Sequence, residues 1–173
     1  PEDICLYFYI NKNAVIIGKN QNAWKECNLD AMEQDGVQLV RRHTGGGAVY
    51  HDEGNLNFSF IMGEEEYDLA RQMRVILRTV EKFGLHAELS GRNDILVDGR
   101  KFSGNAFGVA HGMRSHHGTI LVNADLSKLG NYLNVSKKKI ASKGVSSVRA
   151  RVCNLAELAP EITVPQVEEA LKA

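Results

Sequence analysis

The residues with the clearest chemical potential are the two arginines and three glycines of residues 41–47, Arg-Arg-His-Thr-Gly-Gly-Gly. Glycine lets a ligand approach the backbone closely, and successive backbone N–H groups can cradle an anion. Arg41 or Arg42 could add a bidentate clamp on a phosphate or a carboxylate. No Gly-Lys-Ser/Thr follows, so the segment is not a Walker A loop. The residues alone leave an anion-binding loop and a flexible turn as open interpretations.

A second group of polar residues lies on both sides of an Asp-Gly pair. Asn93 and Asp94 precede the pair, and Lys-Phe-Ser-Gly-Asn-Ala follows it at residues 101–106. Asp98-Gly99 predicts a type I′ hairpin turn, which would bring the polar groups of both strands into one pocket. Lys101 is then a candidate fixed cation for a carboxylate and a phosphate, and Asp94 is a candidate Mg²⁺ ligand. A solvated lysine is the alternative.

Two further groups invite a chemical interpretation. His116 and His117 open a predicted strand, where adjacent side chains point to opposite faces and cannot easily share one metal ion. We therefore favour contact between residues 116–119 and a ligand over metal binding. A basic run near the C-terminus is either a solvated face or a site for triphosphate or an acidic protein, and it comprises Lys137, Lys138, Lys139, Lys143, Arg149 and Arg151.

Hydrophobic periodicity and turn residues predict the elements that must position these groups. Strands are predicted at residues 4–10, 15–17, 37–40, 48–50, 56–61, 95–97, 100–102 and 118–122, with a hairpin-like break at residues 51–55 and a turn near Gly112. Helices are predicted at residues 24–32, 67–83, 126–133 and 164–171, and the second of these carries an apolar stripe and ends before Gly84. The pattern predicts an α+β fold with a mixed, largely antiparallel sheet flanked by helices.

Composition restricts the class of protein. The 173 residues are 43% hydrophobic and 24% charged with no net charge, which is typical of a soluble globular domain and not of a nucleic-acid binder. No apolar run approaches the roughly 20 residues of a membrane span, and no signal peptide is recognised. Cys5, Cys27 and Cys153 have no CxxC spacing, which argues against disulfides and zinc and predicts a reducing, cytoplasmic compartment.

Taken in order, these motifs resemble the lipoate–protein ligase A family. The motifs are the segments at residues 41–55, 91–95, 101–106 and 116–119, together with those at residues 123–126 and 143–152. The resemblance runs from about residue 15 to residue 158 and implies a fold like that of class II aminoacyl-tRNA synthetases and biotin ligases. It also implies that residues 1–173 are the catalytic domain, without the family's first strand and helix and its C-terminal accessory domain.

The resemblance implies an enzyme that uses ATP and Mg²⁺ to convert lipoate to lipoyl-adenylate and then lipoylates a lysine ε-amine. The implied partners are apo lipoyl domains of 2-oxoacid dehydrogenase complexes, the glycine-cleavage H protein and a separate accessory domain, without nucleic acid or membrane. Lys101 is the implied catalytic residue and Asp94 the implied Mg²⁺ ligand. The implied nucleotide- and lipoate-binding residues are Arg42, Gly45, Gly46, Gly47, Ala48, Val49, Tyr50, His51, Asn93, Asp94, Lys101, Ser103, Gly104, Ala106, His117, Gly118 and Thr119.

Three other interpretations stay open. An octanoyl- or lipoyltransferase of the same superfamily would use a cysteine and no ATP. Its candidate is Cys153, because Cys5 is predicted in a core strand and Cys27 in a helix, but that nucleophile is expected just before residues 144–147. A biotin–protein ligase would carry a different glycine–arginine loop. A lipoyl-adenylate binding module would need an accessory domain from another chain or from a longer one.

Overall fold

The fold, taken from a computed structural model, is described for residues 3–91, 93–134 and 152–173. Arg92 and the basic run at residues 137–151 lie outside the described residues, as does most of the 143–152 motif. Fourteen strands and α-helices lie within the described ranges, and the strands form two sheets. No helix among these residues is long and apolar enough to cross a membrane.

The small sheet joins three strands in the first third of the chain. β1 (Cys5–Tyr9) precedes it, and β2 (Ala14–Ile17) lies between β3 (Gln38–Arg41) and β4 (Ala48–His51). β2 pairs with β3 in parallel and with β4 antiparallel. Three short helices accompany this sheet, namely α1 (Ala23–Glu26), α2 (Leu29–Gln34) and α4 (Leu129–Tyr132), and their apolar residues share one core cluster with the strands.

The large sheet contains β1 and five later strands, namely β5 (Asn55–Gly63), β6 (Ala87–Ser90), β7 (Asp94–Val97), β8 (Arg100–Ala110) and β9 (Met113–Leu121). Their order is β1-β5-β9-β8-β7-β6, and every neighbouring pair is antiparallel. This arrangement confirms the predicted α+β class with a mixed, largely antiparallel sheet.

Two longer helices and one 3₁₀ turn contribute to the core of the large sheet. They are α3 (Leu69–Glu81), the 3₁₀ turn Leu155–Glu157 and α5 (Val164–Lys172). The Asp68 side chain caps α3 by accepting from the N–H of Arg71, and Thr163 opens α5 with a capping box. The predicted apolar stripe of α3 is confirmed, since Met73, Ile76 and Val80 are buried in this core.

Both predicted turns between the long hairpins are confirmed by backbone angles. Asp98 and Gly99 have φ values of 50° and 71°, as a type I′ turn requires. His111 and Gly112 repeat the pattern with 52° and 71° and connect β8 to β9. These two tight turns fix the register that aligns β7, β8 and β9 side by side.

Several predicted elements were wrong in their details. Residues 51–55 form no hairpin, because β4 and β5 belong to different sheets and this segment carries the chain from one to the other. The helix predicted at 24–32 is split at Cys27, and only Leu129–Tyr132 of the helix predicted at 126–133 is α-helical. The edge strand β6 was not predicted. Cys5, predicted in a core strand, is exposed because β1 is an edge strand.

Candidate active site

The large sheet has two faces of different chemistry, because residues directly opposite one another in antiparallel strands share a face. One face buries apolar side chains of β5 and β9 such as Phe58, Phe60 and Ile120. The other face, which we call the site face, carries polar and small residues in two rows. The row nearest β7 holds Asp94, Gly104, Thr119 and Asn57, and the next row holds Ala106, His117 and Ser59.

Lys101 reaches the site face through a β-bulge in β8. Leu96 pairs with Lys101 while the preceding Ile95 pairs with Ser103, so Phe102 is an extra residue between them. A bulge shifts the alternation of side chains along a strand. Phe102 and Ser103 are consequently both buried, and Lys101 lies on the same side as Gly104.

Lys101 forms an ion pair above the floor of the site face. Its Nζ lies 2.7 Å from Asp94 Oδ1, and about a third of each side chain is exposed, at 35% and 38%. A Cβ at Gly104 would lie 2.9 Å from Nζ, so glycine is what leaves room for the lysine. Ion pairs at this exposure contribute little to stability. The pair can therefore open toward a ligand without a large cost to the fold.

The glycine segment packs against this face from above. Thr44 Oγ1 lies 2.6 Å from His117 Nε2, and the rings of His43 and His117 stack with centroids 5.9 Å apart. A Cβ at Gly108 would lie 2.9 Å from Thr44 Cγ2, which explains glycine at that position of β8. These contacts join the small sheet to the site face at the beginning of the loop.

The two arginines play a different part from the predicted anion clamp. Arg42 donates from Nε and Nη2 to Gly45 O at 3.1 and 2.7 Å, from Nη2 to Gly47 O at 3.0 Å and from Nη1 to Ile16 O at 3.1 Å. Arg41 Nη1 donates to three carbonyls of residues 18–21. In this conformation Arg42 and the Nη1 group of Arg41 donate to backbone carbonyls, which holds the loop and residues 18–21 in place.

The glycines themselves are exposed and shaped for close approach. Gly46 has φ of +101°, a conformation that other residues rarely adopt, and its added Cβ would lie 2.5 Å from Arg42 Nη2. A Cβ at Gly45 or Gly47 would meet no atom within 4 Å. Packing therefore does not require glycine at these two positions, and the space beside them is open.

His51 presents a buried donor with no protein partner. It is 5% exposed, and its Nδ1 lies 3.0 Å from Asn11 Nδ2, an amide donor. Nδ1 therefore accepts and Nε2 carries the proton, yet Nε2 has no hydrogen-bond partner among the described residues. Burial, helped by Arg42 and His117, lowers the pKa of His51 to about 4, so the ring is neutral.

His117 is also neutral, because burial, Arg42 and His43 lower its pKa to about 4. The prediction that His116 and His117 point to opposite faces is confirmed, since His116 lies in the apolar core among Phe58, Phe60 and Phe107. Among the described residues no group of three His, Cys, Asp or Glu side chains could hold a metal ion. The only predicted ligand, Asp94, is engaged with Lys101.

Six of the predicted site residues lie on the site face, namely Asp94, Lys101, Gly104, Ala106, His117 and Thr119. Several others do not. Ala48 and Tyr50 pack into the core of the small sheet, and Ser103 and Gly118 lie on the buried face of the large sheet. Asn93 bonds to the backbone of Asn105 rather than facing the loop. Sequence reasoning missed Thr44, whose place inside the 41–47 motif was the available signal, and Gly108, which gave no signal before the strands were aligned.

Comparison with known proteins extends this picture. A sequence model of the family described as the lipoyl protein ligase A/B catalytic domain matches residues 1–173. The structure superposes with TM-score 0.86 on LipL1 of P. falciparum, solved in complex with lipoate, at 40% identity over 99% of this chain and 48% of that chain. This chain thus spans about half the length of that relative.

Two further solved structures are similar over a larger share of their length. A bi-partite lipoate protein ligase of Thermoplasma acidophilum, described with its E2 lipoyl domain, is 34% identical over 98% of this chain and 68% of that chain, with TM-score 0.86. A lipoate-protein ligase A bound with ATP is 33% identical over 97% of this chain and 69% of that chain, with TM-score 0.83. The chain belongs to the lipoyl protein ligase A/B catalytic domain family.

Proposed function

We propose that this chain activates lipoate with ATP to lipoyl-adenylate and transfers the lipoyl group to a lysine ε-amine of a lipoyl-domain protein. The observation that carries the proposal is the position of Lys101, which the bulge in β8 turns onto the site face beside Thr119 and Gly104. The solved relatives with lipoate or ATP bound support the same substrates.

The position of Lys101 suits the negative charge that develops during adenylation. When the lipoate carboxylate attacks the α-phosphate, negative charge builds on the phosphate oxygens, and a fixed cation nearby stabilises the transition state. Lys101 can exchange its half-exposed partner Asp94 for these oxygens. Pyrophosphate leaves in this step. The neutral acceptor amine then attacks the acyl carbon of the mixed anhydride, AMP leaves and the amine's proton passes to solvent, so no enzyme nucleophile is required.

The surroundings of Lys101 suit an extended acyl-adenylate. Gly104 and Ala106 form a low floor on β8, and the glycines at 45–47 offer open space above it. The buried Nε2–H of His51 is available to an oxygen of the bound molecule. These features correspond to the roles predicted for Gly104, Ala106, His51 and the loop.

Magnesium fits this site only together with substrate. One carboxylate, Asp94, faces Lys101, and Mg²⁺ is commonly bound by one or two carboxylates plus substrate phosphates. Bound to the phosphates, it would neutralise their charge. Asp94 would hold it once Lys101 has turned to the α-phosphate.

An acyltransferase with a cysteine nucleophile is less well supported. Cys153 is fully buried, and burial raises the pKa of its thiol, which disfavours the reactive thiolate. Cys27 is buried as well. The exposed Cys5 stands three strands from Gly108 in the sheet register, roughly 14 Å at ordinary strand spacing. Only Cys153 is near Lys101, since its backbone N–H donates to Lys101 O at 2.9 Å, but its buried thiol lies 3.7 Å from Arg100 O.

A second candidate function is transfer from lipoyl-adenylate that an additional domain or chain helps to form. The chain spans 48% and 68% of two ligases that it resembles, and one of these is described as bi-partite. On this alternative the described site binds the adenylate and completes the transfer, while the first step needs the additional part.

One assay with four arms separates these functions. The purified chain is mixed with an apo lipoyl domain and with lipoate plus ATP-Mg²⁺, preformed lipoyl-adenylate, lipoate without ATP, or an octanoyl acyl-carrier thioester, and the lipoyl domain is weighed by mass spectrometry. We expect lipoylation in the first two arms and pyrophosphate release in the first. Modification in the second arm alone would favour the two-part alternative, and modification in the fourth alone would exclude the ligase. H protein as acceptor tests the predicted partner range.

A further inference from the structure

His116 is the one ionisable side chain in the described chain that is fully buried and hydrogen-bonded through both ring nitrogens. Its Nδ1 lies 2.9 Å from Gln72 Oε1 of α3, and its Nε2 lies 2.8 Å from Asn105 Oδ1 of β8. The rings of Phe58, Phe60 and Phe107 surround it, with centroids 4.9–5.6 Å from that of the imidazole. The imidazole therefore links a helix to a strand of the site through the core.

The protonation of this ring follows from its neighbours. Burial and the nearby His117 lower the pKa of His116 to about 4, so the ring is neutral and carries one N–H. Asn105 donates its Nδ2 to Asn93 O at 3.1 Å, which leaves Oδ1 facing Nε2. The N–H must then be on Nε2, and Nδ1 must accept. Gln72 directs Oε1 at Nδ1 and donates Nε2 to Met62 Sδ at 3.0 Å. Rotation of its amide by 180° gives Nδ1 a donor in place of this weaker contact with sulfur.

Hydrogen bonds of Asn105 connect His116 to Asn93, the residue just before the first residue of β7. Its backbone N–H donates to Asn93 O at 2.8 Å, and its side chain donates to the same oxygen. Asn93 Nδ2 returns a hydrogen bond to Asn105 O at 3.2 Å. The next residue is Asp94, whose carboxylate lies 2.7 Å from Lys101 Nζ. A continuous chain of contacts thus joins α3 to the ion pair on the opposite face of the sheet.

We propose that His116 is a positioning residue, which acts through Asn105 and Asn93 to fix Asp94 and, with it, the orientation of Lys101. Because it orients Lys101 for adenylation, this role rests on the proposed function. Without the Nε2–H donor, Oδ1 of Asn105 would be a buried acceptor with no partner, and the amide would turn to find one. Turning would break the bond from Asn105 Nδ2 to Asn93 O, one of the three hydrogen bonds between these residues, and would let Asp94 shift. Displacement of a catalytic group by about 1 Å can cost up to about 100-fold in rate.

The activity test uses four variants of the full chain. His116→Phe keeps the volume and removes the donor, and His116→Gln supplies an amide donor near the Nε2 position. Gln72→Met removes the contact to Nδ1 and the hydrogen bond to Met62 Sδ but leaves the contact of Nε2 with Asn105. Ile76→Val, in the same core and outside the contact chain, controls for a general loss of stability. Pyrophosphate release, or lipoyl transfer from preformed adenylate, is measured with unfolding free energies at one temperature.

We expect His116→Phe to lower kcat about 10- to 100-fold with little change in the KM for lipoate, and His116→Gln to recover most of it. Gln72→Met should lose less than about 5-fold, and Ile76→Val should be near wild type. If all four variants lose activity in proportion to their stability, or if His116→Gln is as impaired as His116→Phe, the residue serves packing and the proposal is overturned.

Two structural measurements decide the proposal even if the chain shows no ligase activity. Nitrogen-15 NMR of the histidine rings at neutral pH should show His116 as the neutral Nε2–H tautomer, and an Nδ1–H tautomer or an imidazolium would contradict the inference. Crystals of His116→Phe should show a rotated Asn105 amide and a broken or displaced Asp94–Lys101 pair. An unchanged pair in that variant would also overturn it, whereas loss of activity in the wild type alone would count only against the proposed function.

Discussion

His116 and His117 are neighbours on β9 and show how differently the two faces of one sheet use the same residue. Burial is the first cause that lowers the pKa of each to about 4. His116 is sealed among aromatic rings and bonded to two amides, whereas His117 is partly open and bonded to Thr44 of the glycine loop. A neutral imidazole therefore has a structural role on the buried face and is available to a ligand on the site face.

The two faces of the large sheet differ in which groups can exchange a contact within the protein for a contact with a ligand. The buried face is made of apolar contacts and fully used hydrogen bonds, so a change there is felt as lost stability. The site face holds an ion pair that is about one third exposed, the loop holds exposed glycines, and His51 of β4 has a donor without a hydrogen-bond partner among the described residues. A ligand can take over these groups without dismantling the core. Variants of the two faces should therefore separate activity from stability.

The largest effect is expected from Lys101→Ala on the site face. Loss of a preorganised charge at the transition state costs about 10²- to 10³-fold in rate, so adenylate formation should fall by that factor. The unfolding free energy should change by less than about 1 kcal/mol, because the pair with Asp94 is partly exposed. Pyrophosphate release and urea unfolding measure the two quantities. Normal adenylate formation by this variant would remove Lys101 from the chemistry.

Acid should act mainly through the buried histidines. His51, His116 and His117 have folded-state pKa values of about 4, below their ordinary value of about 6.5, so the unfolded chain binds more protons between these limits. Stability should be complete above about pH 6.5 and fall toward pH 4, with each histidine contributing up to about 1.4 kcal/mol per pH unit. His116→Gln and His117→Gln should each flatten urea-unfolding free energies between pH 7 and 5 by one such step. An unchanged slope would show that the ring in question has the same pKa in the folded and the unfolded chain.

Gly104→Ala tests how tightly the site face is built. The added methyl group would lie 2.9 Å from Lys101 Nζ and 3.0 Å from Cε, so the lysine must move. We expect a loss of about 10-fold in kcat/KM for adenylation, with little loss of stability, because the flexible end of a side chain can yield. In a Lys101→Ala background the same substitution should cost nothing further. A full, additive loss there would mean that the methyl group obstructs the ligand itself.

Cys153→Ala should have the smallest effect on catalysis. The thiol is fully buried in the core of the large sheet, and burial raises its pKa. Replacing it should cost about 1 kcal/mol of stability through lost packing and change lipoylation by less than about 2-fold. Complete loss of transfer in a folded variant would revive the cysteine-dependent transferase.

Much of the fold could be predicted because local signals were strong. The stripe of α3 and the positive-φ pair Asp98-Gly99 are read from short stretches and are confirmed. The hairpin predicted at residues 51–55 was wrong because two strands separated by a short polar segment look alike whether they pair with each other or enter different sheets. The edge strand β6 was missed because four residues, two of them exposed, carry little pattern.

The predictions for the candidate site show the same difference between local patterns and contacts between distant residues. The sequence by itself determined which residue types gather near the loop, the two turns and β9, because motifs and turn residues are local properties of the chain. Only the tertiary structure decided which side chains face the site: the bulge at Phe102 turned Lys101 onto it, while register placed Ser103 and Gly118 beneath it. The contacts of Arg41 and Arg42 were likewise decided by the tertiary structure, because the carbonyls that accept from them include distant ones, such as those of Ile16 and Gly18. Pairing across strands depends on contacts between remote residues, and a local pattern cannot specify them.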